Sequence, residues 1–194
     1  ANWPALACSP ELSGGRFLAR PRSALVGLGV GELVEVTGTV YTYYGLTEIV
    51  DPSVSGDGSA AATMTPLAVT TGELGTAASC SGEQFEGLLV TVSNATVLSE
   101  PNSYGEITID DDSGQTQLED GLLDTDTHLE TLVGGTLTGT VLTSLTGVVK
   151  YAFQSFEIHP RSAADIVVAA PAPDAPPPPS PPPSLPSPPA APSA

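Results

Sequence analysis

Apolar and polar residues alternate along much of the chain between about residues 24 and 168. Four segments place β-branched, aliphatic or aromatic residues at every second position: Leu33–Tyr43, Leu88–Leu98, Glu106–Asp110 and Gly135–Thr143. This period of two, bounded by Gly, Pro, Asp and Ser, predicts β-strands that turn one face toward a core. Helices are expected to be few and short, at Gly121–Thr131 and Ser162–Asp165. The pattern therefore predicts an all-β protein.

The composition changes sharply near Ala170. From Pro171 to Ala194 the chain holds 13 Pro in 24 residues, and the rest are Ala and Ser with one Leu and one Asp. Proline lacks the N–H donor and fixes φ, so this tail cannot form a helix or a sheet. We expect the extended polyproline II conformation, which at ~3.1 Å per residue would reach about 75 Å. The tail has too little apolar variety to build a core.

An internal repeat suggests two related modules. Thr37–Thr42 differs from Thr138–Thr143 at one position, where Leu142 takes the place of Tyr41. Self-similarity of this kind indicates repeated structural units. The repeat predicts two β modules, of which the first is the shorter.

The charge balance excludes several classes of protein. Lys and Arg number 5 against 22 Asp and Glu, which gives a net charge of −17. A duplex-DNA binder needs cations to neutralise phosphates, so this class is excluded. The 2 His and 2 Cys are too few for a multi-histidine or multi-cysteine metal site, and we expect no cofactor. No stretch of about 18 apolar residues is present, so no membrane span is expected.

Several features favour an extracellular location. Cys8 and Cys80 are an even pair in a Lys-poor chain, which fits one disulfide in an oxidising space, although two buried free thiols are the alternative. Asn94 begins an N-glycosylation sequon with Ala95 and Thr96. The sequence starts at Ala1 without a Met, so we expect that any targeting peptide has been removed.

Residues 24–168 resemble the OB-fold domains that accompany secreted nucleases and phosphatases. The segments that carry this resemblance are Gly31–Val40, Tyr44–Ile49, Phe85–Val92, Gly105–Gly114, Val133–Val141 and Phe156–Ile166. The nuclease catalytic domain of that family has no counterpart here. The resemblance implies one complete OB-like β-barrel module. It also implies a first module that is open to an incomplete sheet, because no convincing opening strand precedes Arg16–Leu18.

We therefore expect four parts along the chain. An extended N-terminal segment (1–23) precedes the first, shorter β module (24–82), which is followed by the second, OB-like module (83–168) and the Pro/Ser/Ala-rich polyproline II tail (169–194). The tail is similar to the hydroxyproline-rich glycoproteins of plant and green-algal extracellular matrix. That resemblance implies prolyl hydroxylation and O-glycosylation at Pro176, Pro177, Pro178, Pro179, Ser180, Pro181, Pro182, Pro183, Ser184 and Ser187.

No pattern in the sequence indicates catalysis. Asp110–Gly114 is the densest acidic cluster, and a Ca²⁺ loop or a hairpin turn would explain it. We favour the turn, because the spaced Asp pattern of a Ca²⁺ loop is missing and Asp and Gly suit turn conformations. His128 and His159 lie far apart, and no nucleophile elbow accompanies them, so His159 is interpreted as structural. The sequence therefore predicts neither catalytic nor metal-binding residues, and the protein is not expected to be an enzyme.

Tyr41, Tyr43 and Tyr44 form an aromatic cluster that could stack bases on an OB fold or pack across strands. A nucleic-acid groove would also need basic residues along the backbone path. Few are available beyond Lys150, so the charge balance disfavours nucleic acid as a partner.

These features favour a non-catalytic extracellular structural glycoprotein, a subunit of a matrix or fibril that carries a glycosylated polyproline rod. Its expected partners are copies of itself and its covalent glycans. Trp3 and Leu6 are candidate anchors through which an extended terminus could complete the open sheet of another subunit. The alternative is an accessory module of a secreted nuclease or phosphatase that binds single-stranded nucleic acid. A carbohydrate-binding adhesion domain is disfavoured by the 5% aromatic content.

Overall fold

The computed structural model describes residues 17–19, 27–29, 31–59, 63–75, 81–123, 129–133 and 135–169. These residues form a three-stranded sheet and a seven-stranded sheet with short helical segments between strands, which confirms the all-β prediction. No helix in these ranges is long and apolar enough to cross a bilayer.

The described ranges contain ten strands. They are β1 (Phe17–Ala19), β2 (Val34–Tyr43), β3 (Leu46–Gly56), β4 (Leu67–Ala68), β5 (Leu89–Val97), β6 (Glu106–Asp110), β7 (Gln115–Glu119), β8 (Val141–Ala152), β9 (Ser155–His159) and β10 (Ile166–Val168). The helical segments are α1 (Thr71–Leu74), α2 (Leu129–Val133) and the 3₁₀ turns Ser81–Phe85 and Ala163–Asp165.

Five strands of the larger sheet close into a barrel. Neighbours pair in the order β5–β6–β7–β9–β8, and β8 then pairs back to β5 along its length, with Leu89 opposite Val148 and Thr96 opposite Val141. The β7–β9 pair is parallel and the other four are antiparallel. This closure and strand order define an OB-like barrel, which confirms the prediction of one complete OB-like β-barrel module.

Alternating residues of the barrel strands fill its interior. In β6 the burial alternates residue by residue, with Ile107 and Ile109 inside. The most deeply buried apolar side chains of the core are Leu74, Val90, Val92, Ala95, Val97, Ile107, Ile109, Leu118, Leu129, Leu137, Leu142, Leu145, Val149, Phe156 and Ile158. Burying a large aliphatic side chain stabilises the fold by roughly 1.5–3 kcal/mol, so this interior supplies the main stabilising contribution.

The three-stranded sheet has the order β1–β3–β2, with β1 parallel to β3 and β2 antiparallel to it. Tyr44 and Gly45 link β2 to β3 in a two-residue turn with φ of 50° and 99°, the left-handed geometry of tight hairpins. A Cβ at Gly45 would lie 2.2 Å from Cε1 of Tyr151 on β8. The tip of this hairpin therefore packs against the barrel.

Two element predictions differ from the structure. The strand expected at Gly135–Thr143 begins only at Val141. Before that point Gly139 has φ of 88°, and the Glu100 carboxylate accepts the backbone N–H groups of Leu137 and Thr138, so the chain turns rather than extends. In the segment Gly121–Thr131, where a helix is expected, residues 121–123 form a turn, residues 124–128 lie outside the described ranges, and α2 begins at Leu129.

Residues 67–74, which precede the expected module boundary at residue 82, contact the larger sheet and its core. Strand β4 pairs with β5 in the larger sheet, and Leu74 of α1 is fully buried in the barrel core. Thr70 and Glu73 cap α1 reciprocally, and Thr71 is bound by the β6–β7 hairpin. Residues 67–74 are thus part of the barrel module.

Candidate functional site

Strand β2 is a long open edge of the three-stranded sheet. Within the described ranges it pairs with β3 alone, and nine of its ten residues are exposed. Val40 is 59% and Tyr41 53% exposed, so the strand also presents apolar side chains to solvent. A row of unpaired backbone donors and acceptors of this length is a template for another strand.

The usual devices that block edge pairing are sparse in β2. Glu35 is its only charged residue, and it contains no proline. The one irregularity is a register shift between Thr37 and Thr39. At Gly38 between them, an added Cβ would lie 2.4 Å from Cγ2 of Ile49 and 2.9 Å from the carbonyl oxygen of Val50, so only glycine fits. The shift twists the edge but leaves Thr39–Tyr43 accessible.

A second exposed feature lies at one end of the barrel. Tyr104, in the β5–β6 loop, and Phe153, at the β8–β9 turn, stack with ring centroids 5.6 Å apart and planes 25° from parallel. Tyr104 is 69% and Phe153 78% exposed. We call these two residues the aromatic tip.

The turn that carries Phe153 has an unfavourable backbone for its residues. Phe153 and Gln154 have φ of 44° and 71°, the left-handed pair of a tight hairpin turn that Asn and Gly adopt best. A left-handed conformation costs a residue with a Cβ about 1–2 kcal/mol. The bulky apolar side chain at this position is thus maintained against a conformational cost.

A buried ionisable cluster occupies the outer face of β9. Phe156 and Ile158 point into the core, so Glu157 and His159 point away from it, yet all are at least 97% buried. His159 contacts Oε2 of Glu119 through Nδ1 at 2.7 Å and Oε2 of Glu157 through Nε2 at 3.1 Å. The cluster links β7 to β9.

Burial changes the pKa of one member of this cluster, Glu157. Desolvation raises the pKa of Glu157, and the hydrogen bond and charge of His159 offset only part of the rise. Glu106 adds to the rise and Lys150 opposes it. The second oxygen of Glu157, Oε1, has no hydrogen-bond partner in the described part of the chain. Both ring nitrogens of His159 contact carboxylate oxygens, one on each side of the ring.

The acidic segment Asp110–Gly114 forms the β6–β7 hairpin turn, which confirms the turn interpretation. Asp111 accepts hydrogen bonds from the backbone N–H and the hydroxyl of Thr71 at 3.2 and 2.7 Å. Burial alone would raise the pKa of Asp111, but hydrogen bonds from Ser113 and Thr71 outweigh it and lower the pKa. The carboxylate therefore fastens α1 to the hairpin. No group of His, Cys, Asp and Glu in the described ranges is arranged to hold a metal ion.

Asn94, the predicted glycosylation site, lies in β5 with an exposed side chain and φ of 56°, a conformation that asparagine tolerates. The other predicted site residues lie outside the described ranges. They are Cys8 and Cys80, the anchors Trp3 and Leu6, and the tail residues 176–184 and Ser187. Their predictions remain predictions.

The tyrosines of the predicted aromatic cluster do not pack in a core. Tyr43 and Tyr44 meet edge to face, with centroids 4.7 Å apart, and both are exposed. Lys150 and Arg161 are the described cations, and Arg161 is bound to Asp165 at 2.8 Å. Lys150 stands directly opposite Glu157 across the β8–β9 pair. The described surface therefore offers little positive charge for a phosphate backbone.

The fold of this part of the chain is that of an OB-like β-barrel. Residues 82–171 match a protein family described as a domain of unknown function, DUF8508. The matched range holds β5–β10 and thus all five barrel strands. A comparison with curated protein sequences finds no match.

Proposed function

We propose that the chain is a non-catalytic structural glycoprotein of an extracellular matrix or fibril, whose copies join by strand addition at the open edge of β2. The observation that carries this proposal is the exposed ten-residue edge, which has one charged residue and no proline. Strand addition gains backbone hydrogen bonds along such an edge, while alternate side chains of the added strand contact the sheet face.

The N-terminal segment of a second copy is the proposed donor strand. Residues 1–15 precede β1 and contain Trp3 and Leu6, whose large apolar side chains can cover exposed positions such as Val40 and Tyr41. The donating segment and the accepting edge are different surfaces of the same chain. A head-to-tail contact of this type propagates into a filament when the rotation between copies does not close a ring.

The extracellular part of the proposal has separate support. Asn94 is exposed on the barrel surface, so a glycan attached there would meet no packed element of the described ranges. The tail supplies proline and serine for further modification. A net charge of −17 and neutral glycans would keep unassembled copies soluble.

Sedimentation velocity of the full chain and of a chain lacking residues 1–15 tests the donor segment. We expect the full chain to form concentration-dependent oligomers and the shortened chain to remain a monomer with an unchanged β circular-dichroism spectrum. Trp3→Ser with Leu6→Ser should reproduce the loss. Oligomers of the same size in both chains would disprove strand addition by this segment.

A charge placed on the edge tests the acceptor. Val40→Lys introduces a cation at a 59% exposed position of β2, and Leu33→Lys, at a 68% exposed position just before the strand, is the matched control. Charged side chains on an edge strand oppose pairing. We expect Val40→Lys alone to weaken assembly, and equal effects of both variants would contradict the role of β2.

The second candidate function is an accessory module for single-stranded nucleic acid. The OB-like barrel and the exposed Tyr41 and Tyr43 favour it, because base stacking on aromatic side chains is the usual mode of such folds. The scarcity of free cations opposes it. Fluorescence polarisation with a labelled single-stranded oligonucleotide decides the matter: salt-sensitive binding that Lys150→Glu abolishes would support this candidate over assembly.

A further inference from the structure

We propose that the aromatic tip binds the proline-rich tail, residues 171–194, of a second copy of this chain. This inference rests on the proposed function, since it names a second contact in the same assembly. It explains a feature that strand addition leaves aside, the stacked and exposed pair of Tyr104 and Phe153 on a strained turn.

The backbone conformation of the β8–β9 turn points to a function. Phe153 and Gln154 both adopt left-handed φ, and neither residue suits it. Strain of this kind is retained where the surrounding structure or a function requires it. In the described ranges Phe153 contacts Tyr104 rather than the core, and it is 78% exposed. The side chain of Phe153 is therefore positioned for a partner in solvent.

Two further exposed tyrosines lie toward the same end of the barrel. The β2–β3 turn packs on Tyr151, two residues before Phe153, so Tyr43 and Tyr44 lie on this end of the barrel. Flat aromatic surfaces are what proline-rich helices bind, because the preformed polyproline II helix loses little entropy on docking. The tail has 13 prolines, and Asp174 is its only charged side chain, so the acidic protein does not repel it strongly.

The position where the tail leaves the barrel selects a second copy as its source. Strand β10 runs antiparallel to β8, with Ile166 opposite Leu145 and Val168 opposite Leu142, so it ends near the start of β8. The aromatic tip follows the other end of this 12-residue strand. At ~3.3 Å per residue the path along the strand between these two ends measures about 36 Å. Because β10 runs antiparallel to β8, a stiff polyproline II tail that continues from β10 would have to reverse direction to reach the aromatic tip of its own copy. It can reach the aromatic tip of a second copy without such a reversal.

Glycans on the tail are compatible with this contact. A polyproline II helix has about three residues per turn and thus three faces. One face can lie on the aromatic tip while the others carry sugars.

Fluorescence polarisation of a labelled, unmodified synthetic peptide of residues 171–194, titrated with the full chain, tests the inference. We expect saturable binding that falls about tenfold or more in the double variant Phe153→Asn, Gln154→Gly. The same variant relieves the turn, so its thermal midpoint should not fall even as binding is lost. Tyr104→Ala should weaken binding as well, and Leu33→Ala, at another exposed apolar residue, should leave it unchanged.

Several results would overturn the inference. They are no binding of the peptide, equal binding of a peptide with every proline changed to alanine, and full binding by the double variant. Binding of the neutral oligosaccharide cellohexaose in place of the peptide would assign the aromatic tip to carbohydrate. The full chain could also fail to bind the added peptide and keep the same size at all concentrations. If removal of its own tail then restores peptide binding, the tail folds back onto the aromatic tip of the same copy.

The outcome can be separated from that of strand addition. Removal of residues 1–15 should leave peptide binding unchanged. If the peptide fails to bind while that removal still abolishes oligomers, the proposed function stands and only the tail contact is lost.

Discussion

Replacing Gln154 by glycine should stabilise the barrel, because the backbone there is left-handed with φ of 71°. That conformation costs a residue with a Cβ about 1–2 kcal/mol. Glycine avoids this cost but gains roughly 0.5–1 kcal/mol of unfolded-state entropy. The Tyr104–Phe153 stack is untouched, so the net gain is about 0.5–1 kcal/mol. For a domain of this size that corresponds to a rise of about 2–8 °C in Tm.

Urea unfolding and differential scanning calorimetry measure this gain, and the next residue provides a matched control. Ser155 opens β9 and pairs with Ala152, so Ser155→Gly introduces the same residue into an extended strand. There glycine should lower stability by roughly 0.5–1 kcal/mol. The two variants should therefore move in opposite directions. If Gln154→Gly is no more stable than Ser155→Gly, the turn is not strained. The conformation of Phe153 then gives no support for a function of the aromatic tip.

Four further predictions concern the barrel. Because burial raises the pKa of Glu157, the folded protein keeps a proton that the unfolded chain releases above about pH 4.3. The contribution of Glu157 to stability is therefore fully present below that pH and is lost as the pH rises through the folded-state pKa. Glu157→Gln should remove this loss when the free energy of unfolding in urea is measured from acidic to neutral pH. An unchanged pH dependence in the variant would contradict this prediction. The pKa of Asp111 is lowered, so its contribution is present above about pH 3.9 and is lost as the pH falls through the folded-state value. Asp111→Ala should cost about 1–3 kcal/mol at neutral pH, and a calorimetric midpoint equal to that of the unchanged protein would refute this. A Cβ at Gly147 would lie 2.7 Å from the backbone carbonyl of His159, so Gly147→Ala should destabilise the barrel by about 1–3 kcal/mol in urea, unlike a neutral surface change. Secretion of the chain from a eukaryotic cell should add one N-glycan, which Asn94→Gln abolishes. Intact-mass spectrometry should show that the unchanged protein is heavier than the variant by one glycan, and equal masses apart from the substitution would contradict the prediction.

The strands that follow simple alternation could be predicted from the sequence. The alternation predicts a strand at Leu88–Leu98, and β5 lies at Leu89–Val97. The prediction succeeds because β5 has one face toward the core and one face away from it. The segment Gly135–Thr140 has the same alternation but no strand. Its conformation is set by the Glu100 carboxylate, which lies 37 residues away from Leu137 in sequence and comes into contact only in the folded barrel.

The candidate sites were less visible in the sequence. The β8–β9 turn has Phe153 and Gln154 where Asn or Gly would signal a hairpin, so no turn was expected there. Glu157 and His159 stand two residues apart and thus on one strand face, which was a usable signal. Their partner Glu119 is on β7, and only the parallel β7–β9 pairing brings it near. That pairing depends on the closure of the whole barrel.

The pairing of β5 with β8 joins residues about 45–60 positions apart, such as Leu89 and Val148, whereas β2 and β3 meet across a two-residue turn. Contacts between distant segments form slowly, and hairpins form within microseconds. During synthesis the β2–β3 hairpin is thus complete before strands β8 and β9 of the barrel have been made. Over that interval a nascent chain exposes the edge of β2, and an exposed strand edge is the kind of surface through which incompletely folded chains aggregate.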